Sequence, residues 1–438
     1  MEKIKLAVCI PTYNRPEVIN EFFETVAFQY IEHGYDIFVY DSSEGIQTED
    51  VVKKWKCQYS GLFYVRVDSK VHSNMKVYNI FREFGNSLEY DYIWVCSDSI
   101  RWDQCVLDSV NHYASQGYDM IVPNYRDVEN IGDKEYSDRN SFFEDCAWHV
   151  TLYGAAILKA STMLTNVDWN FLIEKYGVPD CINFSHVAFY FEKICTMNKW
   201  KAIHLSFSEK VLTPSVLKKY SGWRDAAFYV CCCCWPTVIN KLPDCYENKE
   251  KVIMQNGVNS ETLLYPNLRK LRIDNILDLK ICHLYRDKWH CVTTVPLFVI
   301  WILAILPPQI VVYLDKSYIK EIFLKKKIRR FCRKFDKIYI FGAGLKAKRY
   351  TKYLDAMRIS FEAYLVSNPL DNVETLNDHK VMPFNEELLD SNGTGILLAL
   401  NKENTIEVYN SILNIADKKK IFSDFKSKAL TDNRRSIQ

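Results

Sequence analysis

The chain has 438 residues, 48% of them apolar and 25% charged, with a formal net charge of +2. That length exceeds one compact domain of ordinary size, and the near-neutral charge excludes a general nucleic-acid binder, which needs a strongly basic face. Fifteen cysteines show neither paired Cys-x-x-Cys metal spacing nor the framework of a small disulfide domain. Met1–Lys5 runs straight into a strand, so reduced thiols in a cytoplasmic protein are expected.

In chain order, Leu6–Ile10 reads as a buried strand, ended by Pro11-Thr12-Tyr13-Asn14-Arg15-Pro16. A helix is expected over Glu17–Glu32, a strand over Asp36–Tyr40, a helix over Val51–Cys57 and a strand over Leu62–Val67. Another helix follows at Lys76–Phe84 and another strand at Tyr92–Cys96. Alternation of this kind predicts a mostly parallel sheet covered on both faces, with ligands at the carboxyl ends of its strands. Polar residues gather there, after Pro11, after Asp41 and after Ser97.

Lys218–His290 reads as helical, with Trp223, Trp235 and Trp289 as packing anchors. Cys231–Cys234 lie in an apolar run, where four adjacent helical residues point in four directions and cannot jointly hold one zinc. Val295–Leu314 is almost wholly apolar but broken at Pro307-Pro308, and basic residues follow from Lys325 to Lys334. Three readings stay open for it: a pair of short helices in a membrane interface, a buried hairpin, or a true span. From Lys337 a small α/β unit is expected, with strands at Ile338–Phe341, Phe361–Val366 and Gly395–Leu400 and a helix over Leu345–Met357. Its Gly342-Ala343-Gly344 loop only approximates a dinucleotide fingerprint, because Ser367-Asn368 stand where an acid is needed. NAD, another nucleotide or phosphate, and a packing or partner-docking role all remain open. The tail after Lys426 is polar and reads as loose.

Val8-Cys9-Ile10-Pro11-Thr12-Tyr13-Asn14-Arg15, Val39-Tyr40-Asp41-Ser42-Ser43 and Tyr92–Ser99 together resemble family 2 glycosyltransferases of the GT-A fold. The resemblance covers roughly residues 4–215. It implies a GT-A domain over 1–215, then a helical extension (216–290), an apolar hairpin with a basic stretch (291–335), a Rossmann-like domain (336–425) and a tail (426–438). That last domain resembles small units found beside bacterial polysaccharide-modifying enzymes.

The implied reaction moves a sugar from a nucleoside diphosphate donor, a UDP-sugar in the first instance, to a glycan or lipid-linked oligosaccharide. The setting is cell-surface polysaccharide synthesis, in the cytoplasm or at the inner face of the membrane. Donor binding would fall to Pro11, Thr12, Tyr13, Arg15, Asp41, Ser43, Lys76, Ser97 and Asp98. A divalent cation, Mn²⁺ or Mg²⁺, would sit on Asp98, although the acidic motif keeps that one carboxylate and Asp103 comes five residues later. Tyr153 and Gly154 would line the acceptor cleft. Inverting transfer needs a base, which the resemblance puts at Asp180, with Asp168 and Glu174 in reserve. The bland readings are a strand-end or helix cap for each aspartate and an exposed helical lysine for Lys76. His186 and His204 stand isolated, as ordinary polar residues do more often than metal ligands. Two rivals remain: an oxidoreductase or sugar-modifying enzyme run from the C-terminal unit, and a non-catalytic scaffold.

Overall fold

The computed structural model describes residues 4–125, 132–207, 211–217, 224–313, 316–367, 375–377, 379–389, 393–400, 404–405, 408–409 and 418–423. Trp223, Asn368 and the tail after Lys426 lie outside them. The chain forms two compact units, Met1–Pro308 and Gln309–Gln438.

The first unit is α/β. Its strands are β1 (Leu6–Thr12), β2 (Asp36–Asp41), β3 (Leu62–Arg66), β4 (Tyr92–Val95), β5 (Ile100–Trp102), β6 (Met120–Pro123), β7 (Lys134–Tyr136), β8 (Ile157–Lys159), β9 (Ala202–Leu205) and β10 (Leu212–Pro214). Eight form one sheet in the order β3-β2-β1-β4-β8-β6-β9-β7, and β10 pairs with β5. β1, β2, β3 and β4 are mutually parallel, β8 runs antiparallel to both β4 and β6, β6 pairs parallel with β9, and β7 closes antiparallel. Leu6–Ile10 is buried along its whole length, as a central strand covered on both faces requires. Register sets Thr12 opposite Asp41 and Cys9 opposite Val95, so the loops leaving β1, β2 and β4 emerge at one edge.

The long helix expected after β1 divides at Val26 into Pro16–Thr25 and Ala27–Glu32. Val26 leaves the helical region, with φ of −134°. The helix Ser73–Ser87 begins at the cap of His72, whose ring accepts from the Asn74 amide at 3.3 Å. Its buried stripe carries Val77, Ile80, Phe81 and Phe84, and Lys76 lies on that stripe. The helix Ser185–Thr196 is buried continuously from Ser185 to Phe191.

The helical expectation for the following region holds over its described residues, in short pieces. Trp235 donates from its indole to Val252 O at 3.1 Å. Before it, Val230–Cys234 forms a π-turn in which the Trp235 amide reaches Val230 O. Pro236 follows at once and has no amide to give to the Cys232 carbonyl. Cys231, Cys232 and Cys234 are buried, Cys233 is half-buried, and all fifteen cysteines are free.

The apolar stretch forms two short helices, Leu297–Ile305 and Pro308–Tyr313, broken at the prolines as expected. Among the described residues no helix is long and apolar enough to cross a membrane. Within Leu297–Ile305 the residues Ile300, Leu303 and Ala304 are buried, while Phe298, Ile302 and Ile305 are 66%, 52% and 61% exposed.

The second unit contains the basic helix Lys316–Cys332 and a sheet ordered β13-β14-β12-β11-β15-β16. These strands are β11 (Lys337–Phe341), β12 (Ala363–Val366), β13 (Thr375–Leu376), β14 (His379–Pro383), β15 (Thr394–Leu398) and β16 (Ile421–Phe422). All its pairings are parallel except β13 with β14. Gly342 has φ of +112°, and a Cβ there would come within 2.9 Å of Ala399 O. The glycine therefore makes the tight exit from β11 into the helix Leu345–Ala356.

Candidate functional site

At the edge where β1, β2 and β4 end, a cavity of about 350 Å³ opens. It is lined by Pro11, Thr12, Tyr13, Arg15, Ser73, Lys76, Ser97, Asp98, Ile100, Tyr125, Thr151, Leu152, Tyr153 and His186. Four connecting segments and two helices thus converge where ligands of parallel sheets collect. Tyr13 offers a ring that is 45% exposed.

The charges form one connected group. Asp98 is buried; its carboxylate accepts from Thr12 Oγ1 at 3.0 Å and from Arg15 Nη1 at 3.0 and 3.3 Å. Arg15 keeps 45% of its side chain exposed. Lys76 is buried beneath the β1 loop, donating to Thr12 O at 3.0 Å and Ser42 Oγ at 2.8 Å. Burial lowers its pKa, opposed by Asp41 and Asp98. The Asp98 loop is pinned from behind by Arg101, which donates to Asp98 O at 2.6 Å and Val18 O at 2.9 Å and pairs with Glu21 at 3.3 Å. That Arg101–Glu21 support escaped the sequence reading, because nothing local links residues eighty positions apart.

Tyr153 stands on the cavity wall, whereas Gly154, expected beside it, does not line the cavity and packs behind it. Gly154 has φ of +104°, a Cβ there would lie 2.7 Å from Trp102 Nε1, and its carbonyl accepts from Trp94 Nε1 at 2.8 Å. Only glycine fits that close approach. The Tyr153 hydroxyl is buried without a hydrogen-bond partner among the described residues, and burial pushes its pKa well above the usual phenol value. Its ring lies 4.7 Å from that of His186. Tyr125, beyond the end of β6, was also missed; the strand-end rule that flagged Pro11 and Ser97 would have found it.

Two expected donor residues are not on the cavity wall. Asp41 is fully buried and accepts from the Ser43 amide at 2.8 Å, the Ser43 hydroxyl, Tyr64 OH at 2.9 Å and Arg66 at 3.4 Å. Ser43 Oγ in turn accepts from the Asn14 amide at 2.8 Å. Both residues tie the β2 loop to the β1 loop, and the Asp41 carboxylate has no free face toward a base.

Asp180 also stands apart. It is exposed in the first turn of the helix Pro179–Ile182 and accepts from Tyr229 OH at 2.5 Å. Asp168 caps the helix Trp169–Tyr176, accepting from the Phe171 amide at 2.9 Å, while Glu174 and Asp103 are exposed. His204 packs against His149 with ring centres 5.1 Å apart. The described residues contain no group of three or more His, Cys, Asp or Glu that could hold a metal by themselves.

A second cavity of about 380 Å³ shares Thr151 with the first. Its other walls include Arg224, Val230, Asn256, Thr262, Asn267, Lys270 and Asp274.

No protein-family model and no curated protein matches this chain. Among solved structures it is similar to the mannosyltransferase PcManGT from Pyrobaculum calidifontis in complex with GDP-Man and Mn²⁺. Identity is 15% over 66% of this chain and 80% of that one, with a TM-score of 0.38. Similar too are S. aureus TarS 1–349 (11%, 64% and 83%, TM-score 0.35) and glucosyl-3-phosphoglycerate synthase from Mycobacterium tuberculosis with Mn²⁺, UDP and glucosyl-3-phosphoglycerate (11%, 55% and 81%, TM-score 0.34). At TM-scores below 0.5 these likenesses carry no conclusion about residues or chemistry. What fold and geometry define is an α/β protein with a charged cavity at the carboxyl ends of parallel strands.

Proposed function

We propose that the chain is a GT-A-type glycosyltransferase that holds a nucleoside diphosphate sugar in the cavity at the ends of β1 and β4. The observation that carries this reading is the convergence of Asp98, Arg15 and Lys76 on one cavity beside the accessible ring of Tyr13. A diphosphate needs cations, and Arg15 and Lys76 supply them; a planar base needs a surface, and Tyr13 offers one. The solved neighbours bound to GDP-Man or UDP are in keeping with this reading and add nothing to its residues.

A divalent cation fits on terms set by the donor set. One buried carboxylate suffices for an ion that brings its remaining oxygens from the diphosphate and water, as Mg²⁺ commonly does. Asp98 would hold it, and Arg15, being half exposed, is free to turn from Asp98 toward phosphate. When bound, the ion neutralises charge that develops on the departing diphosphate. Asp41 and Ser43 shape the base slot from behind by fixing the two loops. Tyr153 forms the acceptor wall, with Gly154 turning the chain behind it, and the second cavity beyond Thr151 gives a glycan acceptor room to extend. The transfer we propose is inverting, by direct displacement at the sugar C1.

The helix Leu297–Ile305 supports a peripheral membrane contact. Its outward face, Phe298, Ile302 and Ile305, carries no polar residue, and the exposed Lys280, Arg286 and Lys288 follow each other closely in the adjoining sequence. An exposed apolar face with cations near it in the chain suits an anionic lipid surface, which is where a lipid-linked acceptor would be met.

The decisive experiment titrates the purified chain with UDP and GDP, with and without Mn²⁺, and measures nucleoside diphosphate release from a panel of nucleotide sugars. Mn²⁺-dependent binding of one nucleotide, with slow release from its sugar, is expected. If neither nucleotide binds in the presence of Mn²⁺, the reading is wrong.

A further inference from the structure

We infer that His186 is the base that takes the proton from the attacking hydroxyl in this cavity. The inference rests on the glycosyltransferase reading and deepens it by assigning the residue that direct displacement requires.

His186 occupies the first turn of the helix Ser185–Thr196, is 1% exposed, and lines the same cavity as Asp98, Arg15 and Lys76. Among the described residues neither ring nitrogen closes a well-aligned hydrogen bond, and the groups within reach of the ring are the backbone carbonyls of Thr151 and Val150. With the ring N–H turned to that backbone, the other nitrogen keeps a lone pair. An unpaired buried polar group costs roughly 1–3 kcal/mol, so that one atom on a cavity wall marks a partner that arrives with a ligand. The ring is also held in place, with Tyr153 at 4.7 Å and Tyr190 at 5.9 Å between centres.

Other titratable groups on the wall are less suited. Arg15 and Lys76 are cations, and the Asp98 carboxylate is taken up by Thr12 and Arg15. The Tyr153 phenol is held protonated by burial. Asp180 is exposed and off the wall. Burial lowers His186 to about 4, while the backbone at Thr151 and Val150 pulls in the opposite direction. It is therefore a neutral base at pH 7, of roughly carboxylate strength, and a bound diphosphate raises it further toward the working pH.

In the step so assigned, the acceptor oxygen bonds to the sugar C1 as the bond from C1 to the phosphate oxygen breaks. The electron pair leaves on the nucleoside diphosphate, and the hydroxyl proton passes to a ring nitrogen of His186. The backbone at Val150 and Thr151, which favours the charged ring, steadies the imidazolium until it releases the proton to solvent. Water can stand in for the acceptor hydroxyl, which makes slow donor hydrolysis a usable readout.

The test compares His186→Gln, His186→Ala and Asp180→Asn with the wild type, measuring UDP binding with Mn²⁺ and nucleoside diphosphate release from the hydrolysed donor. Expected for both histidine variants is unchanged UDP affinity with release slowed about 10²–10⁴-fold, and partial recovery of His186→Ala by added imidazole. Release at the wild-type rate in His186→Gln overturns the proposal. So does a joint loss of UDP binding in both histidine variants, since the ring would then merely shape the donor cavity. Loss of release in Asp180→Asn alone returns the role to the carboxylate. A wild type that binds no nucleotide would instead sink the glycosyltransferase reading itself.

Discussion

Lys76 shows how one side chain can serve fold and chemistry together. It sits on the buried stripe of its helix, where an unpaired ammonium is costly, and it is retained because Thr12 O and Ser42 Oγ receive its protons. Lys76→Met keeps the stem and removes the charge, so the helix should persist while UDP affinity falls about tenfold or more. Calorimetry beside circular dichroism checks both halves. Asp98→Asn removes the charge that Arg15 and a cation would share. A charged hydrogen bond is worth roughly 1.5–3 kcal/mol, or about tenfold to a hundredfold in affinity. The Mn²⁺-dependent part of UDP binding should fall by that factor, and equal affinity in wild type and variant would remove Asp98 from the site.

Elements matter here chiefly by where they end. Helix Ser185–Thr196 and the segment from Thr151 to Gly154 meet at the cavity because Gly154 lets the chain pass Trp102. Gly154→Ala forces both a strained φ and a contact with an indole, costing about 1–3 kcal/mol or more. Urea denaturation should register that loss, together with weaker donor binding as Tyr153 shifts. On the helix Leu297–Ile305 the outward face is more than half exposed. The double variant Phe298→Ser, Ile302→Ser should therefore keep its unfolding midpoint and lose sedimentation with anionic vesicles. Undiminished sedimentation would locate membrane contact elsewhere.

At the scale of the molecule, acid stability follows from buried rings. Burial lowers His149 to about 3 and His186 to about 4, both below the ordinary histidine value of about 6.5. The unfolded chain thus binds protons that the folded chain does not between those values and about 6.5. Stability contributed by the neutral rings is complete above pH 6.5 and declines as pH falls toward 3–4, by up to about 1.4 kcal/mol per unit for each ring. His149→Gln should flatten that decline in thermal melts taken between pH 4 and 6.5. An unchanged slope would show that other groups govern it.

The parallel sheet, the loops that matter and the proline break at Pro307-Pro308 were legible in the chain, because hydrophobic runs and turn residues act locally. Pro11, Thr12, Tyr13, Arg15, Lys76, Ser97, Asp98 and Tyr153 were flagged by their place at strand ends or within motifs, and all of them line one cavity. Asp41 and Ser43 were flagged equally, but Tyr64 and Arg66 on the neighbouring strand saturate that carboxylate. Asp180 has the local signature of a residue at a cleft, a proline-led helix start after a glycine, yet its neighbour is Tyr229 from the helical extension. His186 carries no signal except isolation. Sequence by itself therefore determined the element order as far as β4 and which edge of the sheet carries polar chemistry, since both follow from periodicity and burial, while the short strands from β5 to β10 were not legible. Only the tertiary structure decided which polar groups face the cavity and which face each other, because that depends on contacts between residues far apart in the chain.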